Sequence, residues 1–193
     1  GATAAEAAGI PFALSTMGAF YLVRYLTGDR RAAAVAGVLF AYCPFVFARQ
    51  AHIQLLMVGF LPWCLLSFHR LIDRTTPWRA IELGVVLWIT GLACAYYGIF
   101  AGGMVGLGSI LLAVTRGRWR EPRYWIAIAF AAAVCIGLTL PLFLPYLELQ
   151  KETGFARPLE ETLRYSANFG AWFASSAWAH RWLVPYLQRP YMQ

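Results

Sequence analysis

Residues 80–114 form one apolar stretch, and its length constrains the fold more than any other feature of the chain. A single straight helix over it would be about 52 Å long at 1.5 Å per residue, whereas the hydrocarbon core of a bilayer is about 30 Å thick. The stretch must therefore turn back on itself. We expect the turn at Ala95-Tyr96-Tyr97-Gly98, because aromatic residues suit the membrane interface and glycine permits a tight turn.

Further apolar runs lie on both sides of this stretch, and the composition agrees with them. Hydrophobic residues make up 60% of the chain and charged residues only 13%, whereas about a quarter of a soluble domain is charged. The sequence predicts an all-α fold, a polytopic transmembrane helix bundle of about six spans. The predicted spans are residues 9–26, 32–48, 55–68, 80–96, 99–115 and 124–144. The third run is short for a crossing, so we expect it to include residues 52–54 or to lie deep in the bundle.

Arginine is concentrated in alternate turns between the predicted spans. The turns at residues 24–31, 69–79 and 116–123 contain ten of the 16 basic residues, whereas the other turns contain only Arg49. By the positive-inside rule, the arginine-rich turns face the cytoplasm and both ends of the chain face the outer side. We therefore expect membrane lipid as the partner of these charges and no nucleic acid.

Glycine recurs every fourth residue in the predicted fifth span, at Gly98, Gly102 and Gly106. Small residues at this spacing are typical of helices that pack closely within a membrane. We expect this face to be packed inside the protein, so that Gly102→Leu would overpack it.

The composition divides the chain into a bundle at residues 1–144 and an outer-face segment at residues 145–193. Residues 145–168 hold four of the nine acidic residues, and residues 169–187 are rich in aromatic side chains. We interpret residues 169–187 as an interfacial helix on the outer leaflet, with a seventh crossing as the alternative. The chain begins GATAAEAAG, with no basic region before its apolar run, so we expect no signal peptide in these residues. We expect the chain to be an internal piece of a larger protein, with a missing natural N-terminus as the alternative.

The strongest candidate site is the turn between the second and third spans. Arg49 and His52 are three residues apart and would share one face of a helical turn, with Gln54 close by. A planar guanidinium and an imidazole together suit a phosphate group, so the turn is a candidate for binding a lipid phosphate or a sugar. The alternative is that Arg49 snorkels to lipid headgroups while His52 caps a helix or packs on Trp63.

Two further groups of residues are candidates on the outer side. Tyr96 and Tyr97 could line a sugar or lipid site, or simply anchor the interface. Glu148, just past Pro145, could act as a general base or bind a metal, or lie in a solvated loop.

Motifs for nucleotide or metal chemistry are absent from the sequence, since neither GxxxxGK[ST] nor HExxH nor GxSxG occurs. We expect no cofactor, and no motif indicates a metal, although Glu148 leaves a divalent metal open. We also interpret the spans as free of acidic residues, which argues against an ion-coupled transporter.

Several of these segments together resemble a bacterial family of large multi-spanning membrane proteins related to GT-C-type glycosyltransferases. The resemblance covers roughly residues 20–170. The segments that carry it are Leu26-Thr27-Gly28-Asp29-Arg30-Arg31, residues 36–45, Ala51-His52-Ile53-Gln54-Leu55-Leu56, Phe60-Leu61-Pro62-Trp63, Ala95-Tyr96-Tyr97-Gly98-Ile99-Phe100, Pro145-Tyr146-Leu147-Glu148 and residues 157–166.

This resemblance implies a transferase that takes a sugar from a polyprenyl-phosphate donor at the outer face of the bacterial inner membrane. Such enzymes place their catalytic acid in the first outer loop, and this chain starts after the corresponding position. The resemblance therefore implies that the catalytic acid lies outside these residues, and that His52, Tyr96 and Tyr97 belong to a lipid-phosphate or acceptor site. A transporter or flippase fragment and a non-catalytic envelope scaffold remain the alternatives.

Overall fold

The computed structural model describes residues 2–48 and 52–154, and all the regular secondary structure in these ranges is helical. The helices are α1 (Ala2–Thr27), α2 (Arg30–Ala41), α3 (Pro44–Ala48), α4 (Ile53–Leu56), a 3-10 turn (Met57–Gly59), α5 (Phe60–Asp73), α6 (Pro77–Ala93), α7 (Ala95–Thr115) and α8 (Pro122–Thr153). The chain forms two compact units, residues 1–144 and 145–193, and the end of α8 is the described part of the second. The predicted all-α bundle is confirmed.

Four helical segments are long and apolar enough to cross a membrane. They are Arg30–Ala48, Gln54–Asp73, Ala95–Thr115 and Pro122–Glu152, and they correspond to the second, third, fifth and sixth predicted spans. The third begins at Gln54, so it includes part of the polar turn before it, as expected from its short apolar run. The first and fourth predicted spans correspond to α1 and α6, and their crossing of the membrane stays a prediction.

The turn from α1 to α2 follows directly from its sequence. Gly28 adopts a φ of +74°, a conformation that glycine enters without the steric penalty of a side chain. Asp29 then caps α2, because its Oδ1 accepts hydrogen bonds from the backbone N–H groups of Arg31 at 2.7 Å and Ala32 at 3.3 Å. Gly28, which ends α1, and Asp29, which begins α2, therefore reverse the chain within two residues.

The break between α6 and α7 lies at Cys94, not within residues 95–98 as expected. Cys94 is extended, with φ −158° and ψ 116°, and α7 begins at the next residue. Gly98 is helical, and it allows the backbones of α6 and α7 to approach closely. A Cβ built at Gly98 would lie 2.6 Å from the Cα of Gly91. The tight hairpin thus depends on two glycines that let the helix backbones meet.

The predicted packed face at Gly102 and Gly106 is wrong. A Cβ added at either residue would meet no atom within 4 Å. Both glycines instead line an apolar groove of about 230 Å³ with side chains of α6 and α8, among them Leu87 and Ile128. The spacing of the glycines was correct for one helix face, but of these three glycines only Gly98 lies against the backbone of α6.

The helix of the predicted sixth span does not end near residue 144. Helix α8 runs without interruption to Thr153 and contains both Pro141 and Pro145. Its 32 residues correspond to about 48 Å, and the large apolar side chains of residues 136–144 are mostly exposed. Proline is tolerated inside transmembrane helices, which is why the two prolines did not mark a helix end.

Candidate functional site

His52 and Gln54 lie at the end of the bundle where α5 and α7 begin. His52 occupies the N-cap position of α4, but its side chain makes no capping hydrogen bond, and both side chains are exposed. Trp63, which the alternative interpretation placed against His52, packs on the ring of Tyr21 at 5.6 Å and donates its indole N–H to the carbonyl of Leu14. Arg49 lies outside the described residues.

Tyr97 joins this turn to the start of α7. Its hydroxyl donates a hydrogen bond to the carbonyl oxygen of Leu55 at 2.8 Å, and only 8% of the residue is exposed. It belongs to a buried cluster with Val46, Leu56, Val58 and Cys94. The structure therefore brings two of the sequence-predicted groups together, the His52–Gln54 turn and the Tyr96-Tyr97 junction.

The two tyrosines occupy different environments although they are neighbours in sequence. Tyr96 is 65% exposed, whereas the hydroxyl of the buried Tyr97 donates its hydrogen bond to the carbonyl oxygen of Leu55. Tyr96 is thus available to a ligand or to the membrane interface, while Tyr97 holds the turn in place.

An aromatic cluster near the end of α2 was not identified from the sequence. The ring of Phe12 stacks on Tyr42 at 5.4 Å and lies 5.7 Å from Phe47. Tyr42 and Phe47 are each about half exposed. The sequence AYCPFVFARQ, residues 41–50, does contain a signal for this cluster, because Pro44 interrupts a helix between Tyr42 and Phe47, shortly before Arg49. Exposed aromatic rings of this kind suit a membrane interface or a ligand.

Glu148 is exposed and lies in α8, in the second compact unit. It is helical rather than part of a solvated loop. No group of three or more His, Cys, Asp or Glu residues within 2–48 and 52–154 is arranged to hold a metal ion.

The three arginine-rich turns meet at the opposite end of the bundle. Asp73, the last residue of α5, accepts a hydrogen bond from the Tyr25 hydroxyl at 2.7 Å and forms an ion pair with Arg116 at 2.6 Å. Arg118 donates to the backbone carbonyl of Ile72 and pairs with Glu121 at 2.9 Å. Contacts from α1, α5 and the α7–α8 turn therefore place the three turns on one side, as their alternation in the sequence requires.

The interpretation that the spans lack acidic residues is wrong, because Glu82 lies in the second turn of α6. Its carboxylate pairs with Arg70 at 3.1 Å and accepts a hydrogen bond from Ser67 at 3.3 Å. An ionisable group within a membrane span is tolerated when it is paired. Since a fixed cation already neutralises Glu82, the residue does not by itself favour ion-coupled transport.

No family model, curated protein sequence or solved structure matches this chain. The four long apolar helices of the described residues are compatible, by length and composition, with an integral membrane protein.

Proposed function

We propose that this chain is the membrane-embedded part of a GT-C-type glycosyltransferase that binds a polyprenyl-phosphate-linked sugar at the outer face of a bacterial inner membrane. The observation that carries the proposal is the hydrogen bond from Tyr97 to Leu55. It joins the segment that follows the exposed His52 and Gln54 to the first turn of α7, which also contains the exposed Tyr96, at the end of the bundle away from the arginine-rich turns. Donor groups next to aromatic faces are the combination that a lipid-linked sugar phosphate requires.

In this proposal, His52 and Arg49 bind the phosphate of the lipid and stabilise the negative charge that develops on it as the leaving group. Gln54 and Tyr96 contact the sugar, because an amide and an aromatic ring offer hydrogen bonds and an apolar surface. The general base that activates the acceptor hydroxyl comes from outside these residues. The resemblance of the Ala51–Leu56 and Ala95–Phe100 segments to the GT-C-related family supports this assignment.

The test is the binding of a polyprenyl monophosphate, compared with the uncharged polyprenol of the same length, by native mass spectrometry of the purified protein. We expect the phosphate to bind at least about tenfold more tightly, because charge-assisted hydrogen bonds are formed only with the phosphate. His52→Ala should reduce that preference. His69→Ala is the matched control, since His69 lies near the opposite end of α5.

Equal binding of the phosphate and the alcohol would contradict the proposal and would favour the non-catalytic scaffold. Equal losses in the His52 and His69 variants would also contradict it, because the phosphate would then bind at the arginine-rich end. Sugar transfer from a polyprenyl-phosphate donor to an acceptor, measured with the full-length protein, would establish the reaction itself.

A further inference from the structure

The turn between α7 and α8, residues 116–121, is anchored to the end of α5 by Arg118. The guanidinium of Arg118 donates to the backbone carbonyl of Ile72 and lies over the ring of Tyr124, 5.1 Å from its centroid. It also pairs with Glu121 at 2.9 Å, and Glu121 is the only acidic residue of the turn. The turn is therefore held in place, and its one carboxylate already has a cation.

Two arginines on either side of Glu121 are left without an acid. Arg120 and Arg123 are exposed, and their side chains make no ion pair or hydrogen bond within the part of the chain that the structure describes. Arg116, at the start of the same turn, differs from them because it pairs with Asp73 at 2.6 Å. The turn thus presents two positive charges, three residues apart, to its surroundings.

Two tryptophans accompany these charges. Trp119 directly precedes Arg120, and its ring lies edge-on to Trp125 with the centroids 5.4 Å apart. The indole N–H of Trp125 donates to the backbone carbonyl of Trp119 at 2.9 Å. Trp119 itself is 53% exposed, and its indole N–H makes no hydrogen bond with a described residue.

The tryptophans indicate the depth of the turn in the membrane. The turn connects Ala95–Thr115 to Pro122–Glu152, two of the segments that are long and apolar enough to cross a bilayer. Tryptophan at the ends of such helices is typical of the headgroup level. The exposed arginines of this turn are therefore expected at the level of the lipid phosphates.

We propose that Arg120, Arg123 and Trp119 bind the headgroup of an anionic phospholipid in the leaflet at the arginine-rich end. The two guanidinium groups complement the charge of the phosphodiester, and each can donate two parallel N–H groups to its oxygens. The indole N–H of Trp119 is a further donor at the same level. The positive-inside rule assigns all ten arginines to the membrane surface alike, whereas this site adds selectivity for an anionic headgroup at one turn.

This site is independent of the proposed function. Helix α7 begins beside Tyr97, at the end of the bundle that contains His52, and it reaches the turn only after its 21 residues. A failure at one end would therefore leave the proposal for the other end intact.

The test compares phosphatidylglycerol with phosphatidylcholine of the same acyl chains, bound to the purified protein and measured by native mass spectrometry. The wild type should bind phosphatidylglycerol about tenfold more tightly, because arginines attract a net negative headgroup and gain little from a zwitterionic one. The double variant Arg120→Gln/Arg123→Gln should lose most of that preference. Trp119→Phe keeps a ring against Trp125 but removes the N–H, and should weaken phosphatidylglycerol binding about threefold.

The matched control is the double variant Arg30→Gln/Arg31→Gln, which removes the same charge from the turn between α1 and α2. Both arginines are exposed in the first turn of α2, directly after the carboxylate of Asp29. This variant should keep most of the preference for phosphatidylglycerol. Equal losses in the two double variants would overturn the proposal, because the lipid would then respond to overall charge and not to this turn.

The melting temperature separates lipid binding from a role in folding. In phosphatidylcholine, Arg120→Gln/Arg123→Gln should melt with the wild type, because neither side chain has a partner among the described residues. In phosphatidylglycerol, the wild type should gain stability from the bound lipid and the variant should lose most of that gain. A variant that is less stable in both lipids would overturn the proposal by showing that these arginines support the fold.

Two other results would also count against the site. Stabilisation of the wild type by inorganic phosphate to the same extent as by phosphatidylglycerol would show that a free anion, and not a lipid, is bound. Unchanged phosphatidylglycerol binding by Trp119→Phe would remove the tryptophan from the site as proposed.

Discussion

The Cα of Gly91 in α6 lies against Gly98 in α7, so close that a Cβ on Gly98 would stand 2.6 Å from it. This backbone contact closes a helical hairpin whose connection is the single residue Cys94. Backbone atoms cannot move aside as a flexible side chain can, so this pair of glycines determines how tightly the two helices approach.

Gly98→Ala should therefore destabilise the protein, by about 1–3 kcal/mol, because the added methyl overlaps backbone. Gly102→Ala is the matched control on the same helix and should be neutral or stabilising by up to about 1 kcal/mol, since it gains helix propensity and meets nothing within 4 Å. Reversible unfolding in mixed micelles measures both values. A Gly102→Ala variant as unstable as Gly98→Ala would show that the glycine face is packed after all.

Tyr97→Phe should cost about 0.5–1.5 kcal/mol, because it removes the hydrogen bond to the Leu55 carbonyl while keeping the ring in its cluster. Backbone amides of residues 53–57 should exchange hydrogen faster in this variant, since the turn loses its link to α7. Tyr96→Phe should change neither quantity, because Tyr96 is mostly exposed. Hydrogen exchange followed by mass spectrometry checks both variants, and unchanged exchange in Tyr97→Phe would contradict the role given to Tyr97.

The ion pair between Asp73 and Arg116 should contribute little to stability. Both side chains are about 40% exposed, and exposed ion pairs are worth about 0.2–1 kcal/mol. A double-mutant cycle with Asp73→Asn and Arg116→Gln should give a coupling in that range, and the coupling should fall at high salt. A larger coupling that is independent of salt would mean that the pair is shielded from water, for instance by lipid or a partner protein.

Cysteine labelling tests the orientation of the bundle. Tyr96 and Arg74 are exposed at opposite ends, and replacing the partly exposed Cys43 and Cys135 by serine removes the competing thiols. If the arginine-rich end is cytoplasmic, a membrane-impermeant maleimide added to intact cells should label Tyr96→Cys, whereas Arg74→Cys should react only after permeabilisation. The reverse pattern would invert the predicted topology.

The sequence predicted only part of the arrangement at the end of the bundle that contains His52 and Tyr97. The two segments around His52 and Tyr97 were identified from the sequence for two reasons. Polar residues at the ends of apolar runs cost free energy to place near a membrane, and aromatic residues there are typical of the membrane interface. Their contact, across 42 residues, is a tertiary feature that no local pattern encodes. The aromatic cluster of Phe12, Tyr42 and Phe47 also combines separate helices, and was missed for the same reason.

The sequence by itself determined the all-α bundle and the approximate positions of its apolar helices, although not all of their ends, because the length of apolar runs and the placement of arginine follow from the bilayer and not from packing. Only the tertiary structure decided which glycines make contact, where α6 ends and how Glu82 is neutralised. Such features depend on which groups a neighbouring helix places at each position. Glycines at the same spacing on one helix can lie against a backbone, as Gly98 does, or line an open groove, as Gly102 does.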